Sequence, residues 1–186
     1  MIVIFGSVGS GKSTQGEMLA KRHNWQHISS GQIFRDSNDA EINAIINRGE
    51  LVPDDTTNRV ILEILDRESI DGERGDVILD GYPRRLEQAK FLIQHNEERY
   101  NHHNINLALM IDVNKDEVLK RMLLRGRADD TPEKIERRLA IYHAAINPIL
   151  DYFSKQGILV LHVDGNGSID EIHENIEAEL TKYGII

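Results

Sequence analysis

The chain has no cysteine among its 186 residues. That excludes a disulfide framework, a thiolate zinc site and a cysteine nucleophile, and gives no sign of an oxidising compartment. Long apolar runs are missing too. The longest, Met1 to Phe5, is far too short to cross a bilayer, and glycines follow it rather than a signal-peptide cleavage pattern. Positive charge is in deficit: 22 Lys and Arg stand against 31 Asp and Glu, for a net charge of −9, and the pI is about 5.3. Duplex nucleic acid needs the opposite balance, because neutralising its phosphates takes excess Lys and Arg. A small anionic ligand needs only a local cluster of them. Apolar residues make up 40%, slightly low for a globular chain, yet there is no polar low-complexity block, internal repeat or interdomain linker. The expectation is one cytoplasmic domain, long enough to build a single core.

What is present alternates. Ile2 to Phe5, Trp25 to Ile28, Asp76 to Leu79, Leu107 to Val113 and Gly157 to Val163 are short apolar runs bounded by turns, the pattern of strands buried on both faces of a parallel sheet. Between them lie helical patterns. Thr131-Pro132 reads as an N-cap with proline at the first helical position. Ile135, Leu139, Tyr142, Ile146, Ile149 and Phe153 then follow at spacings of four and three, one face of an amphipathic helix that Pro148 should bend. Leu86 to His95 and Ile169 to Leu180 also read as helices. Strand and helix in alternation predict an α/β fold with helices on both faces of the sheet. Segment 99–106, with Asn101-His102-His103-Asn104, reads as a polar surface connection.

The chemistry begins after the first strand. Gly6-Ser7-Val8-Gly9-Ser10-Gly11-Lys12-Ser13 fits G-x-x-x-x-G-K-[ST] at every fixed position, with a strand before it and a helical segment after it. Glycines let successive backbone N–H groups turn inward on a phosphate, and the helix N-terminus adds its positive dipole end. Lys12 would reach the terminal phosphates, and Ser13 or Thr14 could face magnesium. Such a loop implies a nucleoside triphosphate but not a reaction.

Asp80 closes the third run, where an open α/β sheet places its functional groups, and Gly81-Tyr82-Pro83-Arg84 follows. A carboxylate there could hold magnesium through water or cap a turn. After the second run, Ser29 or Ser30 could cap a helix carrying Arg35. Arg121, Arg125, Arg127 and Arg138 gather around Gly126 and Asp129-Asp130, with Arg121 and Arg125 on one helical face. Arginines grouped this way in an acidic chain point to a polyanion held at several points, since the planar guanidinium suits phosphate. His102-His103 lack further ligands for a metal. His27, His143 and His162 stand among apolar residues and are expected to pack, as is Trp25.

These motifs, with Ile28-Ser29-Ser30-Gly31, Gly49-Glu50-Leu51-Val52-Pro53-Asp54 and Gln88, resemble the adenylate kinases of the nucleoside monophosphate kinase superfamily over nearly the whole chain. The resemblance implies a P-loop fold with a five-stranded parallel sheet, reversible phosphoryl transfer from ATP to AMP giving ADP, magnesium as cofactor without zinc, and a monomer. It implies a core of 1–29, 60–121 and 133–186, a monophosphate-binding segment 30–59 and a minimal lid 122–132. By resemblance, Gly9, Ser10, Gly11, Lys12, Ser13, Thr14, Arg121, Arg125 and Ile169 would bind ATP. Ser30, Gly31, Arg35, Leu51, Val52, Gly81, Arg84, Gln88, Arg127 and Arg138 would bind AMP. Lys12, Arg84, Arg125, Arg127 and Arg138 would be catalytic, Ser13, Thr14 and Asp80 would serve the metal, and Asp129 and Asp130 would hold the closed lid.

The family usually has proline at Val8 and often glycine at Ser13, and its longer members insert a lid where this chain has only Gly126 between two arginines. By the same resemblance, Ser30 and Gln88 match the family's AMP enzymes, whereas its pyrimidine enzymes tend to have alanine and asparagine there, which favours AMP; a glutamine amide can pair with the adenine edge through one donor and one acceptor. Alternatives are a kinase for UMP, CMP, a deoxynucleotide or a small alcohol, or an idle ATP-binding regulator.

Overall fold

The structure, a computed structural model, describes residues 1–70, 76–99, 105–126 and 131–186. The expected surface connection around His102-His103, and the residues Arg127, Asp129 and Asp130, lie outside the described residues. Five strands, β1 (Ile2–Phe5), β2 (Gln26–Ser29), β3 (Val77–Asp80), β4 (Leu107–Asp112) and β5 (Leu159–Asp164), form one sheet in the order β2-β3-β1-β4-β5. Every pairing is parallel. Eight helices alternate with them among the described residues: α1 (Lys12–His23), α2 (Ser30–Arg35), α3 (Ala40–Asn47), α4 (Asp54–Ile70), α5 (Leu86–Arg99), α6 (Lys115–Arg125), α7 (Pro132–Lys155) and α8 (Ile169–Lys182).

The apolar β1 run has its cause in the two layers. Ile2 and Ile4 face a cluster with Leu19 and Ala20 of α1 and Ile172, Ile176 and Leu180 of α8. Val3 and Phe5 face the other way, into a cluster with Ile61 and Leu65 of α4, Leu92 of α5 and Phe153 of α7. A strand covered on both faces can place no polar residue on either. Each such side chain removed from water contributes about 1.5–3 kcal/mol. A third cluster, Val118 and Met122 with Ile135 and Leu139, joins α6 to α7 under the phosphate loop, where Val8 packs on it.

Thr131 caps α7 as its sequence predicts, accepting from the Lys134 N–H, with Pro132 at the first helical position. The helix continues unbroken through Pro148, which lies on its exposed side. Two expectations need correction. His143 and His162 are exposed rather than packed. β5 is an edge strand whose residues alternate, so His162 turns outward and meets Asp112 at 2.7 Å. The serines at the β2–α2 junction do not cap: Ser29 occupies the N-cap of α2 without a side-chain capping bond, and Ser30 is already its first residue. No helix of the described residues is long and apolar enough to cross a membrane.

Candidate active site

β1 and β3 lie side by side at the centre of the sheet, with Ile4 in register with Asp80. Their C-terminal ends therefore bring the Gly6–Ser13 loop and the Asp80–Arg84 turn together. Gly9 (φ 79°) and Gly11 (φ 89°) hold the left-handed conformation that opens the loop. Gly9 also has no room for a Cβ, which would stand 3.0 Å from Met122 and 3.2 Å from the Val118 carbonyl. The loop thus rests directly on α6. α1 starts at Lys12 with no acidic residue in its first turn, so its positive end is left to a ligand.

The loop faces a cavity of about 580 Å³. The P-loop, α2, the α3–α4 connection, the Asp80 turn, α6, α7 and the Gly167–Ile169 segment line it. Of the residues expected to bind nucleotide, Gly9, Gly11, Lys12, Ser13, Thr14, Ser30, Gly31, Arg35, Leu51, Val52, Gly81, Arg84, Gln88, Arg121, Arg125, Arg138 and Ile169 all reach it, as does Asp80. Ser10 does not: its side chain is fully buried behind the loop, and its carbonyl accepts from Arg121 at 3.3 Å.

Charge is concentrated here. Burial pushes the Lys12 ammonium down; Asp80 pulls it up, and Arg84, Arg125 and Arg35 push it down further. An arriving polyanion reverses that balance. Arg35 and Arg84 converge over Gly31, where a Cβ would lie 3.2 Å and 3.4 Å from their guanidinium nitrogens. Gly81 is tighter still. At φ 75° its Cβ would stand 2.8 Å from Ser30 Oγ and 2.9 Å from Arg84, and its carbonyl accepts from Ser30 at 2.7 Å and from Arg84 Nε at 2.6 Å.

Asp80 is 1% exposed. Its Oδ2 accepts from Ser13 at 2.5 Å and Ser29 at 3.0 Å, with His27 Nε2 at 3.6 Å. Burial alone would raise its carboxyl. The imidazole, the Lys12 charge and the Ser13 hydroxyl outweigh burial and hold it far below the usual carboxylate range. Its other oxygen, Oδ1, is buried with no hydrogen-bond partner. One committed carboxylate with a spare oxygen, beside a hydroxyl and an open cavity, fits a hard cation. Magnesium keeps several waters and takes the rest of its shell from phosphates. No group of three or more His, Cys, Asp or Glu that could hold a metal occurs among the described residues, and such a cation needs none.

Gln88 is buried, with its amide orientation forced. The Asp54 carboxylate can only accept, so Nε2 donates to it at 2.7 Å, and Oε1 takes the Arg84 backbone N–H at 2.7 Å. One N–H and one lone pair remain. The sequence gives no signal for the Asp54 contact, since the two residues are 34 apart. Arg121 is anchored as well, donating to Glu117 at 2.9 Å and to the carbonyls of Gly165 at 2.8 Å and Gly167 at 3.1 Å.

A phosphate loop at the switch of a parallel sheet, facing converging arginines across one cavity, defines a P-loop nucleotide phosphotransferase. The adenylate kinase family model matches residues 4–158. Adenylate kinases of Leuconostoc mesenteroides (36% identical, 96% of both chains covered) and Parabacteroides distasonis (36%, 95% of both) align along almost the full length. That of Caldanaerobacter subterraneus is 33% identical over 216 aligned positions, covering 96% of this chain and 95% of its own. The chain belongs to the adenylate kinase family.

Proposed function

We propose that the enzyme transfers the γ-phosphoryl group of ATP reversibly to AMP, giving two ADP. The observation that carries this is the meeting of Lys12 with Arg35, Arg84 and Arg125 around one cavity, inside a chain of net charge −9. Phosphoryl transfer asks a protein for alignment and charge neutralisation rather than covalent chemistry. No general base is needed, because the acceptor is already an anionic phosphate.

In this reading the Gly9–Thr14 backbone and Lys12 hold the β- and γ-phosphates of ATP. Arg121 and Ile169 flank its base. Arg35 and Arg84 grip the AMP phosphate, with Ser30, Gly31, Leu51, Val52 and Gly81 around the nucleoside. Gln88 presents its remaining donor and acceptor to adenine. Arg125, Arg127 and Arg138 neutralise the moving phosphoryl group. Asp80 and Ser13, with Thr14 nearby, would hold magnesium, partly through water; when bound, it neutralises phosphate oxygens and orients them for in-line attack.

The segment 30–59 is the acceptor arm and 122–132 a minimal lid on the remaining core, and closure excludes water as a competing acceptor. The protein works as a cytoplasmic monomer on small nucleotides, without nucleic acid. A coupled assay of ADP formation from ATP against AMP, UMP, CMP and a deoxynucleotide tests the reading. Fast turnover with AMP is expected; preference for a pyrimidine acceptor, or no transfer at all, overturns it.

A further inference from the structure

A polar chain runs from the cavity wall, which Gln15 helps to line, into the α1–α8 interface. Gln15 is 2% exposed and His173 7% exposed. Gln15 Nε2 lies 2.8 Å from the Ile169 carbonyl, and Gln15 Oε1 lies 3.2 Å from His173 Nδ1. A carbonyl only accepts, so the Gln15 atom facing it must be the amide nitrogen, and its Oε1 must be the atom that meets His173. His173 Nδ1 therefore carries a proton and donates. On the far side of the ring, His173 Nε2 faces Glu177 at 3.6 Å, and the same carboxylate holds His23 at 2.8 Å and Arg22 at 3.5 Å.

Ile169 is the first residue of α8, and its side chain is 55% exposed at the mouth of the cavity. An apolar side chain in that position is a surface for a flat base. Arg121 clamps the preceding carbonyls, Gly165 and Gly167, from the α6 side. Gln15 clamps Ile169 from the α1 side, and a buried amide with both ends bonded has one orientation only. Resting on the assignment of Ile169 to the ATP base above, we infer that Gln15, held by His173, is a positioning residue that sets the affinity of the donor subsite and leaves the acceptor subsite unaffected.

The test is a set of three variants, each read by thermal melting and by KM for ATP and for AMP. His173→Leu removes the donor to Gln15. It should raise KM for ATP about tenfold, the loss expected when a buried polar group is left unpaired, with KM for AMP unchanged. His173→Asn places an amide N–H where Nδ1 stood and should restore KM for ATP. Gln15→Glu is isosteric but turns an acceptor oxygen toward the Ile169 carbonyl, and should act like His173→Leu. If His173→Leu fails to fold, the other two still decide.

A role confined to knitting α1 to α8 would lower the melting temperature and move neither KM, or move both together. Either result overturns the inference, as does His173→Asn behaving like His173→Leu. Photolabelling with 8-azido-ATP separates the layers. Labelling at Gly165–Ile172 with unchanged KM values refutes the positioning role alone; labelling elsewhere refutes the base assignment and the positioning role with it.

Discussion

Gln88→Asn is the sharpest perturbation of acceptor recognition that the site offers. The buried Gln88 amide has a 2.7 Å bond at each end, to Asp54 and to the Arg84 backbone N–H. Asparagine is one methylene shorter, so its amide can keep neither bond in place and withdraws from the cavity wall. Asp54 retains Arg85 at 3.1 Å, so the carboxylate is not stranded. The loss falls on the Arg84 N–H and on the donor–acceptor pair that the proposed function assigns to adenine. Each buried hydrogen bond left unmade costs about 1–3 kcal/mol, which converts to a rise of about 5- to 150-fold in KM for AMP. The donor site lies across the P-loop, so KM for ATP should stay within about twofold. Steady-state kinetics with each nucleotide varied in turn measures both. An equal rise in the two KM values would show that Gln88 acts on the fold and not on recognition, and would refute the reasoning.

Lys12→Ala and Arg84→Ala should each lower kcat by at least about 100-fold with an unchanged melting temperature, because one sits at a loop end and the other on a turn; near-normal turnover of either folded variant would remove it from the site. Gly81→Ala should cost about 1–3 kcal/mol in thermal unfolding and most of the activity, since its new Cβ would meet both Ser30 and Arg84 at a positive φ. Asp54→Ala should raise KM for AMP less than Gln88→Asn does, because it frees one end of the amide only. The short connection after α6, with Gly126 alone between Arg125 and Arg127, should let water compete for the γ-phosphoryl group. ADP release from ATP without acceptor is then expected to exceed that of the Caldanaerobacter relative in the same buffer, and equal or slower hydrolysis would contradict it.

The strands were legible because a sheet covered on both faces leaves little choice of residue: each of the five apolar runs lies within two residues of an observed strand. The P-loop was legible because its spacing is imposed by backbone geometry around a phosphate. The acceptor arm was less so. α3 and α4 carry mixed faces, and only Asp39, which caps α3 by accepting from Glu41 and Ile42, marks where one of them starts. Contacts between distant residues left no trace. Ser29 and Ser30 look like caps in sequence, yet their hydroxyls reach Asp80 and Gly81, 51 positions away. Gln15 follows the phosphate loop in sequence, yet its partner His173 lies 158 residues further on. Local rules see the periodicity of such residues, not the partners that packing brings to them.

No residue of α3 is fully buried, whereas every residue of β1 is 5% exposed or less. Opening α3 uncovers only the half-buried Ile42, Ile45 and Ile46, so its amides should exchange with solvent hydrogen through local excursions, while β1 amides wait for global unfolding. An ion-paired strap, Arg48 and Arg137 both on Glu50, ties the end of α3 to α7 beside the packing of Gly49 on Lys134, and exposed pairs of this kind hold weakly. The segment proposed above as the acceptor arm is therefore less deeply packed than the strand that carries the phosphate loop. On that proposal, substrate exchange would proceed by local opening of the arm without disturbing the alignment of the phosphate loop.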